Sequence, residues 1–143
     1  MAYQVSVFLE NKAGYFKQVT STLSTAGVNI QAMTLSTTTM GWGILNLLVD
    51  QPQLAAQALK ENGHLVTLRK VIALPMDDSV GGLDAALSLL EKAQINMETA
   101  YGRNRNSNGK AVLIVDVHDV DNAEQKLREL GAQPLSDDEV YSF

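Results

Sequence analysis

The chain has no cysteine in its 143 residues, so disulfides and thiolate metal sites are excluded. It contains no signal-like segment and no apolar run of membrane length; Met1 leads straight into an alternating strand pattern. The expected setting is therefore the cytoplasm, away from membranes. Basic blocks are missing as well. Eleven basic against 16 acidic residues give a formal charge of −5, which argues against nucleic acid, a partner held chiefly by Lys and Arg on phosphates. Neither Gly41-Trp42-Gly43 nor Gly81-Gly82 has the spacing of a P-loop or a dinucleotide fingerprint. The two histidines, His64 and His118, stand beside no plausible catalytic serine. No nucleophile–base set emerges, and the expectation is a protein that is not an enzyme and uses no cofactor.

What the sequence does contain is written twice. Phe16 and Leu83, Gly14 and Gly81, Leu23 and Leu90, Asn29 and Asn96 match at an offset of 67 residues. Further along the offset is 68: Val49 pairs with Val117, Leu59 with Leu127, Gly63 with Gly131. One extra residue is absorbed in a polar stretch of the second half, where a hairpin loop tolerates it. A period of this length is too long for a solenoid unit and suits a small domain present in two copies, residues 1–70 and 71–143. Each is marginal alone, because a chain so short buries little of its surface. The halves are expected to lean on each other or on a second chain, as in a homodimer.

Tyr3, Val5, Val7 and Leu9 alternate with Gln4, Ser6 and Phe8, the period of a strand with one dominant core face. Phe16, Val19, Leu23 and Ala26 follow helical spacing, which Gly27 ends. Strands are expected from Val28 to Thr39 and from Ile44 to Val49, turned at Gly41-Trp42-Gly43. A helix opening with Pro52, capped by Asp50 or Gln51, runs to Gly63, and Leu65 to Leu74 is a strand again. The second half repeats the order: strand Val71–Pro75, helix Leu83–Ala93, strand Ile95–Tyr101, a loop 103–110 with an Asn108-Gly109 turn, strand Ala111–Val117, and a helix started by the capping-box-like Asp121-Asn122-Ala123-Glu124. Val140 to Phe143 would close the sheet. The class is α+β, two ferredoxin-like βαββαβ units. Residues 67–75 serve both units, so no free linker separates them.

In each half a short turn ending in glycine joins the first strand to the first helix. A helix N-terminus offers unpaired N–H groups and partial positive charge, which suits a small carboxylate, and glycine lets a ligand approach the backbone. Asn11 can donate to that carboxylate and accept from an ammonium; Asp78, ionised, only accepts. Both also make ordinary turn residues. Asn29 and Asn96 recur at the strand starts and either finish the preceding turn or serve the same site. Asp116, His118, Asp119 and Asp121 resemble metal ligands but equally describe a solvated strand end before a helix cap, and no metal is expected. Arg103, Arg105 and Lys110 read as a solvated hairpin or a contact for an anion. Trp42 covers an interface or packs on its own sheet.

Phe8-Leu9-Glu10-Asn11-Lys12-Ala13-Gly14 with Gly27-Val28-Asn29-Ile30 resembles the start of an ACT domain. It is similar to the regulatory domain of D-3-phosphoglycerate dehydrogenase and the small subunit of acetohydroxyacid synthase. The whole chain resembles the stand-alone tandem ACT-domain proteins of bacteria. That resemblance implies non-catalytic binding of a free amino acid between ACT units, changing their packing or partner binding. The binding residues it implies are Leu9, Asn11, Ala13, Gly14 and Asn29 in the first unit, and Met76, Asp78, Val80, Gly81 and Asn96 in the second. Serine-sensing relatives carry histidine where this chain has Leu9 and Met76, which implies a more apolar ligand or a shifted pose. The alternative is a regulatory subunit of a biosynthetic enzyme, acetohydroxyacid synthase being the nearest resemblance.

Overall fold

A computed structural model describes residues 2–104 and 108–143; Arg105 lies outside them. The chain forms two compact units, Tyr3–Arg69 and Lys70–Phe143, the latter joined by Ala2. In the first, β1 (Ala2–Glu10), α1 (Tyr15–Thr25), β2 (Ile30–Thr37), β3 (Trp42–Val49), α2 (Pro52–Glu61) and the start of β4 (Leu65–Asp77) follow in the βαββαβ order. The strands lie in the order β2-β3-β1-β4. β1 and β3 are antiparallel, with Leu9 opposite Gly43 and Glu10 opposite Trp42. Val5, Val7 and Leu9 meet Leu45, Leu47 and Val49, and Val19 and Leu23 of α1 and Leu59 of α2 close this core. A side chain of this size contributes about 1.5–3 kcal/mol when fully buried.

The opposite face of β1 is also buried at two polar positions, which alternation alone does not predict. Gln4 and Ser6 lie there with Asn46 of β3. Gln4 Nε2 donates to Asn46 Oδ1 at 3.1 Å, and Ser6 Oγ donates to the same oxygen at 2.7 Å. Polar atoms removed from water are thus paired with one another, as burial demands.

The second unit comprises the rest of β4, α3 (Gly82–Lys92), β5 (Thr99–Asn104), β6 (Lys110–Asp116), α4 (Val120–Glu129) and α5 (Asp137–Tyr141). Its strands lie in the order β4-β6-β5. Ile72, Leu74, Leu113 and Val115 form its core with Ala86 and Leu90 of α3 and Leu127 of α4. Several details depart from the sequence reading. The second strand begins at Thr99 rather than Ile95. The cap of α4 is Asp119, whose carboxylate accepts from Asn122 N at 3.1 Å, two residues before the expected Asp121.

The largest departure is at the C-terminus, where a helix stands in place of a closing strand. Ser136 and Glu139 make a complete capping box, each side chain bonded to the other's backbone N–H. Asp137, Asp138 and Glu139 place three carboxylates at the positive end of the helix dipole. Those local terms outweigh the strand propensity of the final residues. The backbone nonetheless bonds the sheet once before α5, Leu135 N to Ala73 O at 2.8 Å. Arg103, expected on a solvated hairpin, holds the helix instead: it donates to Val140 O at 2.9 Å and to Phe143 O. Its partial burial lowers its pKa by desolvation. Val140 is fully buried.

Candidate functional site

The β1–α1 turn is built by backbone hydrogen bonds. Asn11 N donates to Gly41 O at 2.8 Å, tying the turn to the β2–β3 hairpin, and Tyr15 N donates to Lys12 O at 3.2 Å. Gly14 holds φ +90°, a left-handed conformation that places α1 directly behind the turn. The ladder of α1 starts with Gln18 N to Gly14 O at 3.0 Å. Tyr15 N is thus already paired, the N–H groups of Phe16 and Lys17 precede the ladder, and α1 has no acidic residue in its first turn to occupy them. Lys12 Nζ lies 2.9 Å from Glu10 Oε2, and the hydrogen bond to that carboxylate raises the Lys12 pKa. The same ammonium lies 6.0 Å from the centre of the Tyr15 ring.

Beside this turn opens a cleft of about 490 Å³ within the first unit. Phe8, Glu10 and Trp42 supply its sheet side, Tyr15 and Gln18 its helix side, and the α2–β4 turn from Asn62 to Leu65 its far wall. Its size falls in the range of small-molecule sites. Leu9 touches the cleft while remaining in the core. Asn11, Ala13 and Gly14 are exposed on the turn.

The second turn repeats the backbone and changes the chemistry. Asp78 N donates to Gly109 O at 2.8 Å, the counterpart of the Asn11–Gly41 bond, and Gly81 holds φ +86°. Asp78 already accepts from Asn104 Nδ2 at 3.1 Å. Lys110 Nζ lies 2.8 Å from Asp77 Oδ1 and lowers the Asp77 pKa through that bond. Asp84 places a carboxylate in the first turn of α3. A hollow of about 400 Å³ lies between Met76, Gly82, Ala85 and Lys110. Val80 and Gly81 are exposed, and Met76 packs against the core of this unit.

The asparagines lie elsewhere. Asn29 N donates to Asp50 Oδ1 at 2.9 Å and Asn29 O accepts from Asp50 N at 3.2 Å, beyond the far end of β3. Asn11 bonds Gly41 before the near end of the same strand. Eight residues of strand separate them, roughly 25 Å at the usual rise. Asn96 is placed alike: it lies two residues before Glu98, whose N–H meets Asp116 O at the far end of β6, while Asp78 bonds Gly109 at the near end. Within a unit the structure does not bring either asparagine to its glycine turn. It does bring in residues outside the expected binding set: Tyr15, Gln18, Asn62, His64 and Trp42. In the βαββαβ order the α2–β4 turn lies at the same end of the sheet as the β1–α1 turn, and that was the available signal.

No group of three or more His, Cys, Asp or Glu is placed to hold a metal among the described residues. Asp116 is buried on β6, where it and Tyr141 add to the desolvation that pushes the Tyr101 hydroxyl well above its ordinary pKa. No described helix is long and apolar enough to cross a membrane.

Residues 1–136 match the family model described as an ACT domain pair. The chain belongs to the ACT domain-pair family. ACT domains are regulatory, non-catalytic modules. The match stops at Ser136, the cap of α5. Among solved structures, protein BT0572 from Bacteroides thetaiotaomicron is similar over 99% of this chain and 96% of its own, at 27% identity and a TM-score of 0.87. The ligand-free regulatory subunit of aspartate kinase from Thermus thermophilus shares the fold over 90% of both chains, at 18% identity and a TM-score of 0.65. The corresponding subunit from Thermus flavus does so at 13% identity and 0.57, over 89% of this chain and 90% of that one. Comparison with curated proteins finds no match.

Proposed function

We propose that this ACT pair is a non-catalytic cytoplasmic sensor of a free amino acid, bound at its strand–helix turns. The observation that carries the reading is the first turn. A left-handed Gly14 and an exposed Asn11 belong to the turn between Glu10 and Tyr15, and both of those flanking residues line a polar and aromatic cleft. A ligand carboxylate would take the helix N–H groups, and Asn11 would donate to it. Contact with Asn29 as well would need a second copy of the chain, which fits a homodimer. Bound ligand then favours one arrangement of the chains by differential affinity, the requirement for any ligand-driven switch.

The test is a thermal-shift screen of the twenty amino acids. At ligand about 100-fold above its dissociation constant, linkage adds about 2.7 kcal/mol, which for a chain of this size raises the midpoint by several degrees. No response to any of them at millimolar concentration would sink the sensor. A second reading, a regulatory subunit for a separate biosynthetic enzyme, is favoured by the mutual coverage with the Thermus regulatory subunit. Copurification of a larger catalytic chain would support it.

A further inference from the structure

The two copies of the turn invite comparison position by position, because the repeat aligns them. Three large apolar side chains on the first cleft stay exposed: Phe8 at 42%, Trp42 at 55% and Leu65 at 67%. Phe8 pairs with Ile44 and Glu10 with Trp42 across β1 and β3, so Phe8 and Trp42 are diagonal neighbours on one sheet face, within reach of a shared planar group. Such a cluster on one rim of a cleft is the kind of exposed patch that marks recognition. In the second unit the aligned positions hold Pro75, Lys110 and Gln133, and Tyr15 is replaced by Gly82. That glycine is compulsory, since a methyl group built there would lie 1.9 Å from Asp77 O. The aromatic wall cannot be restored by substitution at Gly82, and Lys110 is committed to Asp77.

Charge narrows the class further. Glu10, the carboxylate on the cleft, is neutralised by Lys12 at 2.9 Å. Apart from the His64 imidazole, the described lining of the cleft then carries no further ionisable group of the carboxylate, ammonium or guanidinium kind with which to select an acidic or basic side chain. Its volume of about 490 Å³ leaves room well beyond a side chain such as serine's.

Resting on the sensor reading, we infer that the first-unit cleft selects an amino acid with a neutral aromatic side chain, Phe8 and Trp42 being the specificity-determining residues, and that the second unit has no equivalent site. Ring stacks on ring in offset or edge-on geometry, which adds to the burial itself. The carboxylate lies at α1, and the ammonium meets the carbonyl oxygens of Gln18 or Asn62.

Trp42 is the only tryptophan, so its emission reports on the cleft without a label. The intact protein is titrated with phenylalanine, tyrosine, leucine, serine, aspartate and lysine, by calorimetry and by tryptophan emission. Phenylalanine or tyrosine should bind tightest, one per chain, and shift the emission. Trp42→Ala should weaken that binding about tenfold or more, Trp42→Phe should retain most of it, and Lys110→Ala should leave it unchanged. Preference for serine, aspartate or lysine, two equal sites per chain, or aromatic binding indifferent to Trp42→Ala would overturn the inference while leaving the sensor intact. Absence of any amino-acid binding would overturn the sensor reading and this inference with it. Emission that follows protein concentration but no ligand would make the aromatic rim a contact between copies, which also overturns it.

Discussion

Gln94 is the only non-glycine among the described residues with positive φ, at 55°. The repeat aligns it with Gly27, at φ 76°. Both end their helices in the same way: Val28 N bonds Leu23 O at 2.9 Å, and Ile95 N bonds Leu90 O at 3.0 Å. The left-handed region costs a side chain about 1–2 kcal/mol, partly offset because glycine loses more freedom on folding. Gln94→Gly should therefore raise stability by about 0.5–1 kcal/mol in denaturant melts, and Gly27→Gln should lower it. An unchanged midpoint for both would show that the strain is relieved elsewhere. The same comparison separates the ligand turns. Asn11→Asp sets a carboxylate beside the one the ligand brings and removes a donor, so binding should weaken by about 1–3 kcal/mol. Asp78→Asn should do no harm, because Asp78 already serves Asn104. Calorimetry showing the reverse pattern would make the second turn the principal site.

At the scale of the element, α5 is the shortest of the described helices, five residues long. Its supports are the Ser136 cap, Val140 in the core, and the Arg103 bonds to Val140 O and Phe143 O. Ser136→Ala should cost about 1 kcal/mol, the usual loss of a cap, and should speed amide exchange at Glu139 and Val140. Arg103→Ala should cost at least as much, since it strips charged donors from two carbonyls. Exchange unaltered in both variants would mean that packing of Val140 alone fixes the helix. This element also marks where the sequence was hard to read. The alternating strand β1 and the apolar β3 announce themselves, and so do helices bounded by glycine, because period and punctuation are local. At 136–139 two local signals compete: the Ser-x-x-Glu box belongs to a helix, and Val140, Tyr141 and Phe143 suit a strand. The cap won because its bonds form within four residues, while strand pairing needs a distant partner. The cleft was half legible. Of the expected site residues only Leu9 lines it; the neighbouring turn stood out by its repeated glycine, but His64 and Asn62 reach the cleft only through the packing of α2 and β4, which no local pattern encodes.

The whole molecule turns on β4. One strand, Leu65 to Asp77, runs through the break between Arg69 and Lys70. Its early part completes the first βαββαβ unit, and its later residues Ile72 and Leu74 are core of the second. Any cut between the units must therefore divide a strand rather than a loop. A chain of about 60 residues buries only about 60% of the surface it exposes unfolded, so neither fragment has stability to spare for frayed strand ends. We expect residues 1–70 and 71–143, made separately, to melt without cooperativity or to self-associate. The intact chain should melt in one transition and sediment as a homodimer. Sedimentation and calorimetry of all three species decide the matter: monomeric halves with sharp, independent melts would show two autonomous domains that merely share a strand, and a monomeric intact chain at micromolar concentration would remove the homodimer.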